Sequence, residues 1–156
     1  MDGLSAALRT EWVQMVSSQS MVWRRRILLF LLVFQGLSGC LGGARLVADP
    51  SGASIDLPLE LLAGSVFTSY LVPGLVLLIV LGVGPLVAAW GVFRRTPWGW
   101  TASFVVGAAL MIWLAIQIRI IGYHPDPPLQ LTYALVACAI AVLAVLSGRD
   151  AVRRAT

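Results

Sequence analysis

Two arginines, Arg45 and Arg119, and four acids, Asp49, Asp56, Glu60 and Asp126, are the residues of this chain whose types and placement could recognise a polar partner. All lie at or just beyond the ends of long apolar runs, where charge is costly to keep and so marks the first place to look for function. Arg45, Glu60, Arg119 and Asp126 could together line a shallow site for an anionic or amphiphilic ligand, with Gln117, Gln130, Thr132 and Tyr133 close in depth. The plain alternative is that long side chains reach from the apolar run to water and form weak interfacial pairs. Gln35 stands deeper, on a face with Ser38 and Gly42, and is expected to hydrogen-bond a neighbouring helix.

Other chemistry finds less material. The two cysteines, Cys40 and Cys138, form no CxxC pair and read as small buried hydrophobes. Leu37-Ser38-Gly39-Cys40 follows a basic cluster and resembles a bacterial lipoprotein signal ending in its acylated cysteine, yet residues 41–48 stay mostly apolar and complete a span, which argues against lipidation of Cys40. His124 is the sole histidine and falls in a loop, so neither a zinc site nor a haem has its ligand set, and no metal or cofactor is expected. There is no phosphate loop, nucleophile elbow or HExxH helix. An enzyme would have to use Glu60 or Asp126 as acid or base, the least supported of the functional readings.

The elements that must position these residues follow from composition. Of 156 residues 59% are apolar and only 12% charged, well below the roughly 25% of soluble domains; the mean hydropathy is +0.90. Four runs, 27–48, 66–93, 98–121 and 129–147, are each long enough to cross a hydrocarbon core of ~30 Å at ~1.5 Å per residue. The expected fold is therefore an all-α polytopic membrane protein, a four-helix antiparallel bundle over residues 27–148. It is flanked by an N-terminal segment, 1–26, and a tail, 149–156.

Every basic residue is arginine, and with the first helix running outward Arg9, Arg24, Arg25, Arg26, Arg94, Arg95, Arg149, Arg153 and Arg154 share one side. Basic residues near short loops are retained in the cytoplasm, so both termini are expected there, in a bacterial inner membrane. The net charge of +4 then faces lipid headgroups rather than nucleic acid. Leu4, Leu8, Trp12, Met15 and Val16 recur at helical spacing, so an amphipathic helix on the inner leaflet is expected, with a disordered tail as the alternative; Met15 and Met21 offer alternative starts. Pro58 and Glu60 predict the first turn of a short outer helix over about 57–63, and Asp126 with Pro127 a cap on the fourth helix.

Helices in lipid associate through close backbone approach, so small residues should mark their contacts. Gly39 and Gly43 have the GxxxG spacing, and Gly84, Gly107, Ala137 and Ala141 supply stripes on the other helices. A tight bundle without a wide pore is expected, and one stripe could serve a homo-oligomer or a membrane-protein partner. Pro73 and Pro85 are expected to kink the second helix, or to free a carbonyl for a ligand. In size and in this Gly- and Pro-punctuated second span, the chain resembles small uncharacterised bacterial four-helix integral membrane proteins, a resemblance that implies no particular activity. The expected role is an accessory or scaffolding subunit, with ligand binding or transport at the outer rim as the alternative.

Overall fold

The computed structural model describes the backbone of residues 2–123 and 128–155 and the side chains of residues 19–123 and 128–150. Among these the fold is all helix, without strands. Helix α1 covers Asp2–Ala48. Two 3-10 turns, Ala53–Ile55 and Leu59–Leu62, interrupt the loop that follows. The second span is composite: α2 (Leu71–Leu78), a π-helical turn (Ile79–Val83) and α3 (Gly84–Phe93). Helices α4 (Pro97–Ile121) and α5 (Leu129–Ala155) complete the chain. Four stretches, Gln19–Ala48, Leu71–Phe93, Pro97–Ile121 and Leu129–Asp150, are long and apolar enough to cross a membrane.

Several boundaries differ from the sequence expectation. The second span begins at Leu71 rather than near residue 66, because Gly64 turns left-handed at φ 82° and the Tyr70 N–H is drawn back to the Pro50 carbonyl at 2.9 Å. Pro73 therefore lies in the first helical turn, where a missing N–H breaks no helical bond. Pro58 precedes its helix as the N-cap instead of opening it, and that helix is a single 3-10 turn. The fourth helix continues past Ser147, since no proline or capping turn stops it where the apolar run ends. His124, Asp126 and Pro127 lie outside the described residues, as do the side chains of Leu4, Leu8, Trp12, Met15 and Val16.

The spans pack as a ring in chain order: α1 lies against the second span and α5, and α4 against the second span and α5. At the arginine end Leu28, Leu32, Val92, Val106 and Ile140 form the core, and in the middle Leu81, Leu110, Leu114 and Ala137 do. Outward, Phe30, Leu41, Ile112 and Leu135 are each more than 60% exposed, an apolar exterior that suits hydrocarbon and not water.

Backbone contact sets the spacing of α1. A Cβ added to Gly39 would lie 2.3 Å from the Leu81 carbonyl oxygen, and one on Gly43 2.4 Å from the Leu78 nitrogen. Across the same contact Gly82 faces Cys40, and a Cβ there would lie 2.8 Å from its nitrogen and its sulfur. A Cβ on Gly107 would lie 3.0 Å from the Ala137 carbonyl oxygen and 3.1 Å from the Ala141 side chain, where α4 meets α5. Gly84 is different: a Cβ there would meet no other helix, only the Ile79 carbonyl oxygen of its own span at 3.7 Å, and Gly82 takes the place in the contact. The short turn between α3 and α4 is equally close, since a Cβ on Gly99 would lie 2.5 Å from the Gly91 carbonyl carbon.

The Gly39→Ala variant should lose about 1–3 kcal/mol of stability, the usual toll of overpacking a fitted contact. Gly84→Ala should be neutral or gain up to ~1 kcal/mol from helix propensity. Titration with a denaturing detergent, followed by circular dichroism, compares the two; equal losses would contradict the assigned contact.

Candidate ligand cavity at the loop end

At the end of the bundle opposite the residue 24–26 arginines, the four spans part around a cavity of about 330 Å³. Gln35, Ser38 and Gly42 of α1, Leu77 of α2, Trp113 of α4 and Tyr133 of α5 are among its walls. The loop over residues 50–70 closes it from above with Leu57, Leu62 and Phe67. Leu62 and Tyr70 are buried there with Leu46 of α1, so the loop is packed onto the helices instead of standing free.

Local chemistry explains why this loop keeps its shape. Asp49 accepts hydrogen bonds from the Ser51 hydroxyl at 2.5 Å, the Ser51 N–H at 3.2 Å and the Ser54 N–H at 2.8 Å. The Ser51 hydroxyl first, and then the Ser54 amide, hold the Asp49 carboxyl below its ordinary range. Gly52 adopts φ 79°, and a Cβ there would lie 2.3 Å from the Leu57 carbonyl oxygen and 2.8 Å from the Tyr70 ring. Only glycine meets both demands. The Tyr70 hydroxyl donates to the Pro58 carbonyl at 3.1 Å. Burial, and then the charge of Glu60, push its phenol above the usual value, so it stays neutral near pH 7.

The floor of the cavity is set by a proline. In a regular helix the Leu81 carbonyl would accept from the N–H four residues on, but Pro85 has none. The π-helical turn at Ile79–Val83 accommodates the irregularity, and the Gln35 side-chain nitrogen donates to the Leu81 carbonyl at 3.3 Å. The interhelical bond expected of Gln35 is therefore present, and the carbonyl freed by proline serves another helix. Gln35 is only 2% exposed, and its Oε1 is buried without a hydrogen-bond partner.

Of the other polar side chains in the walls, Ser38, Tyr70 and Gln130 bond backbone carbonyls, and Gln117 and Tyr133 line the cavity as well. Ser38 donates to the Phe34 carbonyl one turn back at 2.8 Å, and the Gln130 amide donates to the Gly122 carbonyl at 3.0 Å. Tyr133 stacks with Phe34 at 6.3 Å between ring centroids, tying α5 to α1.

The charged residues singled out in the sequence do not gather at this cavity. Arg45, Glu60 and Arg119 are exposed and absent from its walls, and Asp126 lies outside the described residues. Cys40 sits mid-helix against Gly82, half-buried, whereas Cys138 is exposed on the outer face of α5. Among the described residues no group of three or more potential ligands could hold a metal. The ion pair found among them is at the other end, where Arg24 meets Asp150 at 3.2 Å. Sequence reasoning missed the cavity walls contributed by Trp113, Leu57 and Phe67, since an apolar side chain gives no sign of which way it faces.

In comparisons with family models, curated proteins and solved structures, nothing matches this chain.

Because the folded Asp49 carboxyl titrates below its ordinary value of 3.8, the stability it lends is fully present above that value. It should be lost as pH falls from there through the lower folded-state value. The hydrogen-exchange protection factor of the Ser54 amide should drop across that window and become independent of pH in Asp49→Asn. Protection that stays constant in the unaltered protein under acid would refute the assignment.

Proposed function

We propose that this chain is a multi-pass protein of the bacterial inner membrane that binds a small, neutral, largely apolar molecule in its loop-end cavity. The observation that carries the reading is the cavity itself, walled by all four spans, covered by a packed loop and lined, among the described residues, without a charged side chain. Ligand sites are usually concave and mostly apolar, with a few polar groups that orient the guest. A carboxylate or phosphate buried here would meet no counter-charge among the described residues of the walls, which is costly in a low-dielectric surround. The arginines stand outside, so an anionic guest has less in its favour than a neutral one.

An accessory or scaffolding subunit is the competing role. Its support is the exposed apolar face of each span, but lipid accounts for those faces equally well. Nothing in the apolar exterior singles out a partner, whereas the cavity offers a defined apolar volume at one place in the bundle. No catalytic step is assigned.

The orientation proposed is with both termini in the cytoplasm, supported by the arginines at one end of the bundle, Arg24, Arg25, Arg26, Arg94, Arg95 and Arg149 among them. The cavity then opens toward the outer leaflet. In a cysteine-free background, Ser54→Cys should react with a membrane-impermeant maleimide on intact cells and Arg94→Cys only after permeabilisation; the reverse pattern would overturn the topology.

Ser38→Phe places a ring in the cavity. Protein purified in mild detergent and extracted with organic solvent should release a neutral small molecule by mass spectrometry. The variant, if still folded by thermal melting, should release at least about tenfold less, the loss expected when the volume a guest would occupy is filled. Equal amounts from both, or none from the unaltered protein, would defeat the reading.

A further inference from the structure

A second hollow, of about 620 Å³, lies at the arginine end, on the outer side of the bundle where α4 and α5 run next to each other. Ala144, only 2% exposed, is its floor, and the exposed side chains of Phe104 and Val145 stand along its edges. One turn nearer the end of the bundle the two helices close up, since a Cβ on Gly148 would lie 3.5 Å from the Trp100 Cβ. Trp100 and Thr101 of α4 and Arg149 of α5 border the groove at that level. The groove therefore has a polar mouth and an apolar depth. Its mouth offers an indole N–H, a hydroxyl and a guanidinium, all able to donate. Arg149 meets no carboxylate among the described residues, and the adjacent Asp150 is bridged to Arg24 at 3.2 Å.

We infer that this groove binds an anionic phospholipid from the leaflet at the arginine end, with its phosphate beside Arg149 and an acyl chain along Phe104, Ala144 and Val145. The site is separate from the loop-end cavity and does not rest on that reading. Groove and lipid change from charge to hydrocarbon in the same order and direction, because α4 leaves the arginine end at Pro97 and α5 returns to it at Arg149. Charge selects the headgroup. Arg24, Arg25, Arg26, Arg94, Arg95 and Arg149 gather at this end, and basic pockets between spans attract acidic headgroups. A free anion such as phosphate would satisfy the mouth and leave the apolar depth without contacts. A second copy of the chain is disfavoured, since copies inserted the same way up would bring two arginine ends together, and like charges across an interface are costly.

Phosphatidylglycerol and phosphatidylethanolamine with the same acyl chains differ in net charge, the second being neutral. Each is to be titrated into the full chain in mild detergent, and the first lipid bound counted by native mass spectrometry. The unaltered protein should prefer phosphatidylglycerol by about fivefold, the equivalent of ~1 kcal/mol for one arginine near an anionic headgroup. The preference should vanish in Arg149→Gln and persist in Arg149→Lys. It should also persist in Arg94→Gln, which removes a charge from the same end but outside the groove and stacked on Trp90. Thr101→Trp, which fills the groove and keeps the charge, should abolish it; Val145→Phe fills it from the opposite wall should that variant fail to fold. Overturning results are no preference in the unaltered protein, a preference that survives Arg149→Gln or the filled groove, or an equal loss in Arg94→Gln, which would make the effect one of overall charge. A dimer that the filled groove dissolves would show that a second copy, not a lipid, occupies it.

Discussion

The loop end of this molecule depends on two backbones lying in contact where α1 passes the π-helical turn of the second span. Gly39 and Gly43 on one side and Gly82 on the other remove the side chains that would hold the helices apart. In hydrocarbon, where apolar side chains gain nothing by leaving lipid, close approach and the few polar bonds it permits are what bind helices together. One such bond results directly, for only at this spacing does Gln35 reach the Leu81 carbonyl. The proline that frees the carbonyl and the glycines that admit the neighbouring helix are thus two halves of one device.

The other end is held by different means. Arg25 donates from Nε to the Val92 carbonyl at 3.2 Å and from Nη2 to the Phe93 carbonyl at 2.8 Å, closing the last turn of α3 with a cation, which also suits the helix dipole. The Thr96 N–H bonds the Gly91 carbonyl and the Arg95 N–H the Val92 carbonyl, with Arg95 left-handed at φ 57°, which is the Schellman pattern with arginine where glycine is usual. Arg24 and Asp150 bridge the ends of the first and fourth spans, though both are partly exposed and such a pair contributes at most about 1 kcal/mol. Leu28, Leu32, Val92 and Ile140 fill the interior at this end, and the hollow found there is an open outer groove between α4 and α5 at Trp100, Phe104, Val145 and Arg149. All four spans part together at the far end, where the second span starts late and a loop covers the gap.

What the cavity can recognise is decided by which polar groups remain uncommitted. Ser38 and Gln130 bond backbone carbonyls nearby, and Tyr70 is tied to Pro58. Gln35 is tied at one end only. The exposed Arg45 and Arg119 sit on the outside of the same end, where water or headgroups can solvate them.

Hydropathy alone placed the four spans, because the length and apolarity needed to cross a hydrocarbon layer are properties of a contiguous stretch. It also pointed to Gln35 as a partner for another helix, and to Gly39, Gly43 and Gly107 as small residues on helix faces, since a polar or minimal side chain inside an apolar run has few other uses. It could not separate Gly82 from Gly84, which differ by two residues and hence by about 200° around a helix, nor foresee the π-helical turn that alters that angle. Nor could it show that Pro73 falls harmlessly in a first turn while Pro85 strips a carbonyl of its partner. The cavity was invisible for the same reason: its walls come from helices far apart in the chain, and whether four such helices touch or part is settled by the fit of their surfaces to one another, which no single stretch of residues encodes.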